Sequence, residues 1–270
     1  MLNLGFYGLS VNPFEKNSML GRQSFVSRDH RRALDAMNAA LERNGFAVIT
    51  ARSGLGKSHV VDRFVQSLDA SAHPVSYTAP GRTTLSELYR QISIDYKLEP
   101  FGNKQKLVSS IRRFLFGTYS RNRPAVIIID EAQDLKPEVL SELRILMCFE
   151  HDTLDVFTLI LAGEPRLASA IQNTDALDSL RQRVTSHYNF IGLSDDEVAA
   201  YVAHKLELAG GSDLIIDDAA MKILCESSRG VSRAVDHIMC DAVAWGIQMA
   251  RHTIDAEVMR HAVDSQSLVS

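Results

Sequence analysis

Cysteine is scarce in this chain. Cys148, Cys225 and Cys240 are the only three in 270 residues, and none sits at a CxxC or metal-ligand spacing. A disulfide framework and a cysteine-rich metal centre are therefore excluded, and reduced thiols in a cytoplasm are expected. Long apolar runs are also missing. No stretch approaches the roughly 18–20 apolar residues that a membrane helix needs. The opening MLNLGFYGLSVNPF has neither the basic start nor the apolar core of a secretory signal. The sequence thus predicts a cytoplasmic protein with no membrane partner. A surplus of positive charge is absent too: 29 Lys and Arg stand against 33 Asp and Glu, a formal net charge of −4. Any contact with nucleic acid must then come from a local basic patch and not from the global field. What is present is ordinary globular composition, 46% hydrophobic and 23% charged, enough for one large domain or for one large and one small.

Apolar runs of strand length alternate with amphipathic stretches of helix length. Residues 46–51, 74–79, 125–130 and 157–163 read as strands, the last two almost continuous in Val, Ile, Leu and Phe. Strands without polar alternation are covered on both faces, which implies a parallel sheet flanked by helices. Residues 28–44, 58–68, 84–96, 104–119 and 137–149 read as those helices. Past Leu193 the pattern is helical only. Ser194 and Glu197 form a capping box, the helix they open stops at Gly210 and Gly211, Asp217 and Ser232 cap the next two, and a fourth covers about 255–263. The reading is an α/β nucleotide-binding domain over 1–193 and a small all-helical lid over 194–270.

Residues 51–58, Ala-Arg-Ser-Gly-Leu-Gly-Lys-Ser, follow a strand and open a helix. They fit the phosphate-binding loop, with Ala51 where glycine is usual, a change tolerated if its φ is negative. Ser53, Gly54, Leu55, Gly56, Lys57, Ser58 and His59 are the candidate ATP-binding run. Gly54 and Gly56 let backbone N–H groups turn toward the phosphates, Lys57 reaches the β- and γ-phosphates, and Ser58 holds Mg2+. Asp130 and Glu131 end the third apolar run, at the sheet edge where such folds bind ligands. Asp130 suits a Mg2+ ligand through water. Glu131 suits a base that polarises the attacking water, provided it lies beyond the strand end.

Two runs, Asp-Glu-Ala-Gln-Asp at 130–134 and Ser-Leu-Arg-Gln-Arg-Val at 179–184, carry a resemblance, as do Phe-Tyr-Gly-Leu-Ser-Val-Asn-Pro-Phe at 6–14 and Ala-Gly-Glu-Pro-Arg-Leu at 162–167. Together they resemble the ExeA/GspA-like branch of AAA+ ATPases, over about residues 4–265. The resemblance implies a P-loop AAA+ core with a helical lid and active sites shared between subunits. It makes Arg183 the arginine finger, with Arg181 as the alternative, Arg233 the second sensor and Glu164 the occupant of the first sensor position, where a neutral polar residue is usual. Asn12, Phe14 and Arg28 lie where the family wraps the adenine, although Phe14 reads equally as a packed core aromatic.

Secretion-type members of this branch carry a transmembrane helix and a peptidoglycan-binding domain after the ATPase. Transposon-type members are short and stop where this sequence stops. They are similar to the MuB, IstB, TniB and TnsC helpers, which assemble on DNA with ATP and choose targets for a transposase. The expected partners are duplex DNA bound through its backbone, further copies of the chain in a ring or filament, and a transposase with or without a target-selector protein. A secretion-assembly ATPase and a weakly hydrolysing scaffold are the alternatives. Arg82, Thr83, Lys104, Lys106 and Arg112 are the candidate DNA contacts, with Arg113, Arg121 and Arg123 adding charge nearby.

Overall fold

The computed structural model describes residues 2–15, 25–79, 81, 83–147, 149, 154–212 and 215–266. Arg82 and Cys148, both singled out above, lie outside the described residues. The chain divides into two compact units, His30–Phe190 and a second made of Met1–Asp29 with Ile191–Ser270.

In the first unit a five-stranded sheet runs in the order β2-β3-β4-β1-β5, every neighbouring pair parallel. The strands are β1 (Phe46–Thr50), β2 (Val75–Thr78), β3 (Ala125–Ile129), β4 (Phe157–Gly163) and β5 (Val184–Asn189). Every residue of β1, β3 and β4 is buried, as their unbroken apolar character requires. Helices α1 (Arg28–Glu42), α2 (Lys57–Ser67), α3 (Leu85–Asp95), α4 (Lys104–Tyr119), α5 (Pro137–Met147), α6 (Pro165–Asn173) and the one-turn α7 (Asp178–Arg181) complete the layers. Thr84 and Glu87 close a reciprocal capping box at the start of α3. The sequence pattern marks four strands. The fifth, β5, escaped it because burial there alternates with exposure and its residues Thr185, His187 and Asn189 are polar. Helices α6 and α7 were likewise not expected.

The register aligns the strand ends. Thr50 of β1 stands beside Gly163 of β4 and Asn189 of β5, and Ile129 of β3 beside Leu161 of β4 and Thr78 of β2. The residues that follow Thr50, Ile129 and Gly163 therefore emerge along one edge of the sheet.

The second unit contains α8 (Asp195–Leu208), α9 (Asp218–Ser228), α10 (Ser232–Gln248) and α11 (Ala256–Gln266). Ser194 caps α8 with the expected box and Asp217 caps α9 through the Ala220 amide. At α10 the expectation fails by one residue. Val231 is the N-cap, without a side-chain bond, and Ser232 is already helical. At the end of α8 only Gly210 is left-handed, with φ 85°. Gly211 is required for space, since a Cβ there would come within 2.6 Å of Leu9 Cδ2.

Residues 2–15, expected with the α/β domain, pack into this helical unit. Tyr7, Leu9 and Phe14 join the core of Val202, Leu206, Met239 and Val243. The Tyr7 hydroxyl donates to the Arg251 carbonyl at 2.7 Å, and Gly246 leaves room for it. Burial, aided by Asp255, pushes the Tyr7 phenol up to about 12.

Candidate nucleotide site

The loop after β1 turns through two left-handed glycines, Gly54 at φ 84° and Gly56 at φ 88°, while Ala51 keeps negative φ. Gly56 is the N-cap of α2 and offers its first amides no side-chain acceptor. Those N–H groups and the helix dipole suit an anion at that end. A Cβ on Gly56 would meet His30 Nε2 at 3.2 Å, so the turn is also fitted closely against α1. Ser53 and Ser58 are exposed, and Leu55 is buried beneath the loop. His59 stands edge-on to His30, ring centroids 5.9 Å apart, with its Nε2 buried and lacking a hydrogen-bond partner. Burial first, then the charge of Arg63, lowers the His59 imidazole below its usual range.

Lys57, on the first turn of α2, is 7% exposed and Asp130 is 3% exposed. The ammonium bonds to Asp130 Oδ1 and reaches Glu131 Oε1 at 3.2 Å. Asp130 Oδ1 also accepts the Glu131 N–H at 2.8 Å. On its other side, the Tyr77 hydroxyl stands 3.5 Å from Oδ2. Burial, with the charges of Asp130 and Asp62, raises the Tyr77 phenol well above its ordinary value. Glu131 lies two residues past the end of β3 in a left-handed conformation, φ 51° and ψ 35°. For a residue with a Cβ this stores on the order of 1–3 kcal/mol, a strain that recurs where a side chain must be aimed. Gln133 Nε2 donates to Glu131 Oε2 at 2.6 Å, and Gln133 Oε1 accepts the Glu164 N–H at 2.9 Å.

The carboxylate of Glu164 belongs to a separate pair. It receives the Arg166 Nε at 3.1 Å, and Arg166 also binds Asp134 at 2.9 Å. Glu164 thus meets Lys57's partner Glu131 only through its backbone, by way of Gln133. Neither Gln133, Tyr77 nor Arg166 was assigned a role from sequence. Gln133 stood inside the quoted 130–134 run, where its position two residues after Glu131 was the available signal.

The remaining expected residues are divided between the two units. Arg181 is held in its own chain by Asp178 at 2.8 Å and by the Gln172 carbonyl. Arg183 lies between α7 and β5, directly before the strand, and is half-buried. In the helical unit, Arg233 is exposed on the first turn of α10. Phe14 there is 2% exposed with the Lys205 ammonium 5.5 Å above its ring. Asn12 accepts the Phe14 N–H at 3.1 Å and donates to Cys240. Arg28 gives its backbone N–H to Glu197 at 2.6 Å, while its buried Nε has no hydrogen-bond partner. Asp29 accepts the amides of Ile191 and Gly192.

Of the basic candidates, Lys104 is neutralised by Glu142 at 2.7 Å. Arg112 turns inward to the Ile145 carbonyl and the Phe149 ring, and Thr83 donates to Glu87. Lys106 is exposed with its ammonium 5.9 Å from the Phe101 ring. Arg113, Arg121 and Arg123 are exposed.

A glycine-turned loop at a helix start, a lysine and two carboxylates beside neighbouring strand ends, and a parallel sheet of order 2-3-4-1-5 define a P-loop domain of the AAA+ fold. The AAA domain family matches residues 40–171. General secretion pathway protein A of Aeromonas hydrophila is 30% identical over 239 residues, which are 87% of this chain and 43% of that protein. The chain therefore spans less than half the length of this relative. Among solved structures it is similar to the ORC2 protein of Aeropyrum pernix (TM-score 0.66, 15% identity, 96% of this chain and 72% of that one). Cdc6p of Pyrobaculum aerophilum gives 0.65 at 14% identity, covering 93% and 69%. The RuvB Holliday junction branch migration motor of Thermotoga maritima gives 0.55 at 18%, covering 89% and 70%. The AAA domain match and the likeness to the secretion protein agree with the AAA+ P-loop fold that the sheet order defines. Among the described residues no helix is long and apolar enough to cross a membrane.

Proposed function

We propose that this chain is a Mg2+-dependent ATPase that assembles on duplex DNA and regulates transposition, handing target sites to a transposase. The observation that carries the ATPase part is the convergence of Lys57, Asp130 and Glu131 on one another beside the α2 N-terminus. Lys57 neutralises the β- and γ-phosphates, displacing its present carboxylate partners to do so. Ser58 and Asp130 would hold Mg2+, which when bound withdraws negative charge from the phosphate oxygens. Glu131 orients the attacking water and accepts its proton; the reaction needs positioning and charge stabilisation more than covalent chemistry. Arg183 of a neighbouring copy stabilises the charge that develops on the γ-phosphate. Arg233 is assigned by resemblance as a second phosphate-sensing cation.

The DNA part rests on the resemblance to transposition helpers, on the fold shared with a Holliday junction motor, and on the exposed Arg113, Arg121 and Arg123. With net charge −4, one copy should bind DNA weakly. Many copies presenting a small basic patch along one backbone would add their contacts and release counterions together. A second reading, an ATPase for assembly of a secretion machine, is favoured by the identity to general secretion pathway protein A. Fluorescence anisotropy of labelled duplex separates the two. The transposition reading expects binding with ATP but not ADP, falling steeply with salt and weakened by joint Arg121→Ala and Arg123→Ala replacement. Flat traces with ATP at low salt would leave the secretion reading in its place.

A further inference from the structure

Gln133 stands closer to the candidate base than Lys57 does, 2.6 Å against 3.2 Å. Gln133 sits in a short 3-10 turn (Ala132–Asp134) directly after Glu131. Its amide is spent at both ends. Nε2 donates to Glu131 Oε2 at 2.6 Å and Oε1 accepts from the Glu164 backbone at 2.9 Å. An uncharged amide donates through one atom and accepts through another, so it can bridge a carboxylate and an N–H that stand apart. A carboxylate here would face Glu131 oxygen to oxygen, and a lysine would leave the Glu164 amide without an acceptor. The position is prepared from two further directions. Gly163, the last residue of β4, has no Cβ, and one placed there would stand 2.5 Å from Gln133 Oε1 and 3.3 Å from the Gln133 amide nitrogen. The left-handed backbone of Glu131 brings its carboxylate back toward the amide. Glu131 is thereby held by two donors, Lys57 on Oε1 and Gln133 on Oε2, one from the P-loop helix and one from the turn after β3.

We propose that Gln133 is a positioning residue for the water-activating Glu131, and that it ties the aim of that carboxylate to the backbone at the end of β4. The inference rests on Glu131 being the base. The neutral polar group expected at the end of β4 is supplied in this chain by Gln133, reaching across from the turn after β3, while Glu164 contributes its N–H and keeps its carboxylate on Arg166. A shift of the β4–α6 junction, which a phosphate or a neighbouring subunit could cause, is passed to Glu131 through one amide.

The test is a double-mutant cycle on single-turnover phosphate release, with ATP affinity measured by calorimetry on the full chain. Gln133→Glu keeps the acceptor toward Glu164 and replaces the donor toward Glu131. Gln133→Met keeps the length and removes both. Each should lower the hydrolysis rate about 10- to 100-fold while ATP affinity stays within about threefold. Gly163→Ala, which displaces the amide without altering it, should lower the rate in the same direction. In a Glu131→Gln background the Gln133 substitutions should cost less than about threefold more, because the group they position is already gone. Equal losses in both backgrounds would reduce Gln133 to a structural residue and overturn the inference. Unchanged turnover in the Gln133 variants beside a dead Glu131→Gln would also overturn it. Full turnover in Glu131→Gln alone would instead overturn the choice of base.

Discussion

Replacing Lys57 by alanine should unfold the α/β unit more easily as well as weaken nucleotide binding. The substitution removes the ammonium and leaves both carboxylates. Lys57 and Asp130 have side chains 7% and 4% exposed, so this pair receives no discount for solvent screening. The pair with Glu131, whose side chain is 42% exposed, adds about 0–1 kcal/mol. Stranding one member of a buried pair costs about 3–5 kcal/mol. Asp130 keeps the Glu131 N–H at 2.8 Å, and water can enter the space left by the lysine, which places the expected loss near the lower end, about 3 kcal/mol. For a unit spanning His30–Phe190 each kcal/mol moves the melting temperature by about 2–4 °C, so a drop of roughly 6–12 °C is expected. Adding Asp130→Asn removes the stranded charge and should return roughly half of that loss. Circular dichroism melts without nucleotide measure the first effect. Calorimetric titration below both transitions measures the second, where affinity for ATP should fall more than about tenfold, or 1.4 kcal/mol. A Lys57→Ala protein melting within about 2 °C of the parent would refute the buried-pair argument. Unchanged ATP affinity would refute the phosphate-loop assignment.

Glu131→Gln should keep ATP bound and slow hydrolysis by about 100- to 1,000-fold, or about 2.7–4 kcal/mol of barrier, with little change in melting because the side chain is part-exposed. Turnover at the parent rate would move the base elsewhere. Arg183→Ala should suppress hydrolysis and leave ATP affinity nearly intact. Mixing it with Lys57→Ala protein should restore activity, since some interfaces then pair a sound loop with a sound arginine, and no rescue at any ratio would place the arginine's role within its own subunit. In the helical unit, burial holds the Tyr7 phenol at about 12, above its ordinary 10.0, so the neutral form favours the fold. That contribution is complete below pH 10, where the phenol is neutral in both states, and is lost as pH rises through 12. The melting gap between parent and Tyr7→Phe should therefore narrow above about pH 10, and a constant gap up to pH 12 would count against it.

The parts of this architecture that were legible in sequence are those in which local chemistry and fold agree. Residues 125–129 and 157–163 could only be covered strands, and Gly54-Leu55-Gly56-Lys57 between a strand and a helix had one reading with a mechanism. Ser194 and Asp217 were found as caps because their side chains do the capping. Val231 was missed because it caps with none, and β5 because an edge strand with alternating exposure looks like a polar loop. The basic candidates show the opposite difficulty. Lys104 and Arg112 look alike in sequence, yet one is paired with Glu142 and the other is turned into the α4–α5 packing, and both partners come from a helix more than thirty positions away. Gln133 was visible but mute, since its meaning depends on Gly163 and the Glu164 amide arriving from β4.

Because Tyr7, Leu9 and Phe14 belong to the core built by α8–α11, the polypeptide leaves its ribosome in an awkward order. Residues 2–15 emerge with their final partners still untranslated, and the whole of His30–Phe190 passes before they appear. At a synthesis rate of about 5–20 residues per second, residues 191–266 alone take roughly 4–15 s to follow. During that interval the α/β unit has all of its own chain and can collapse, while Phe14 and its neighbours stay unburied. An expression strain short of chaperones should accordingly accumulate aggregates seeded at residues 2–15, and a rearranged chain that joins residues 2–15 directly after residue 266 should relieve them.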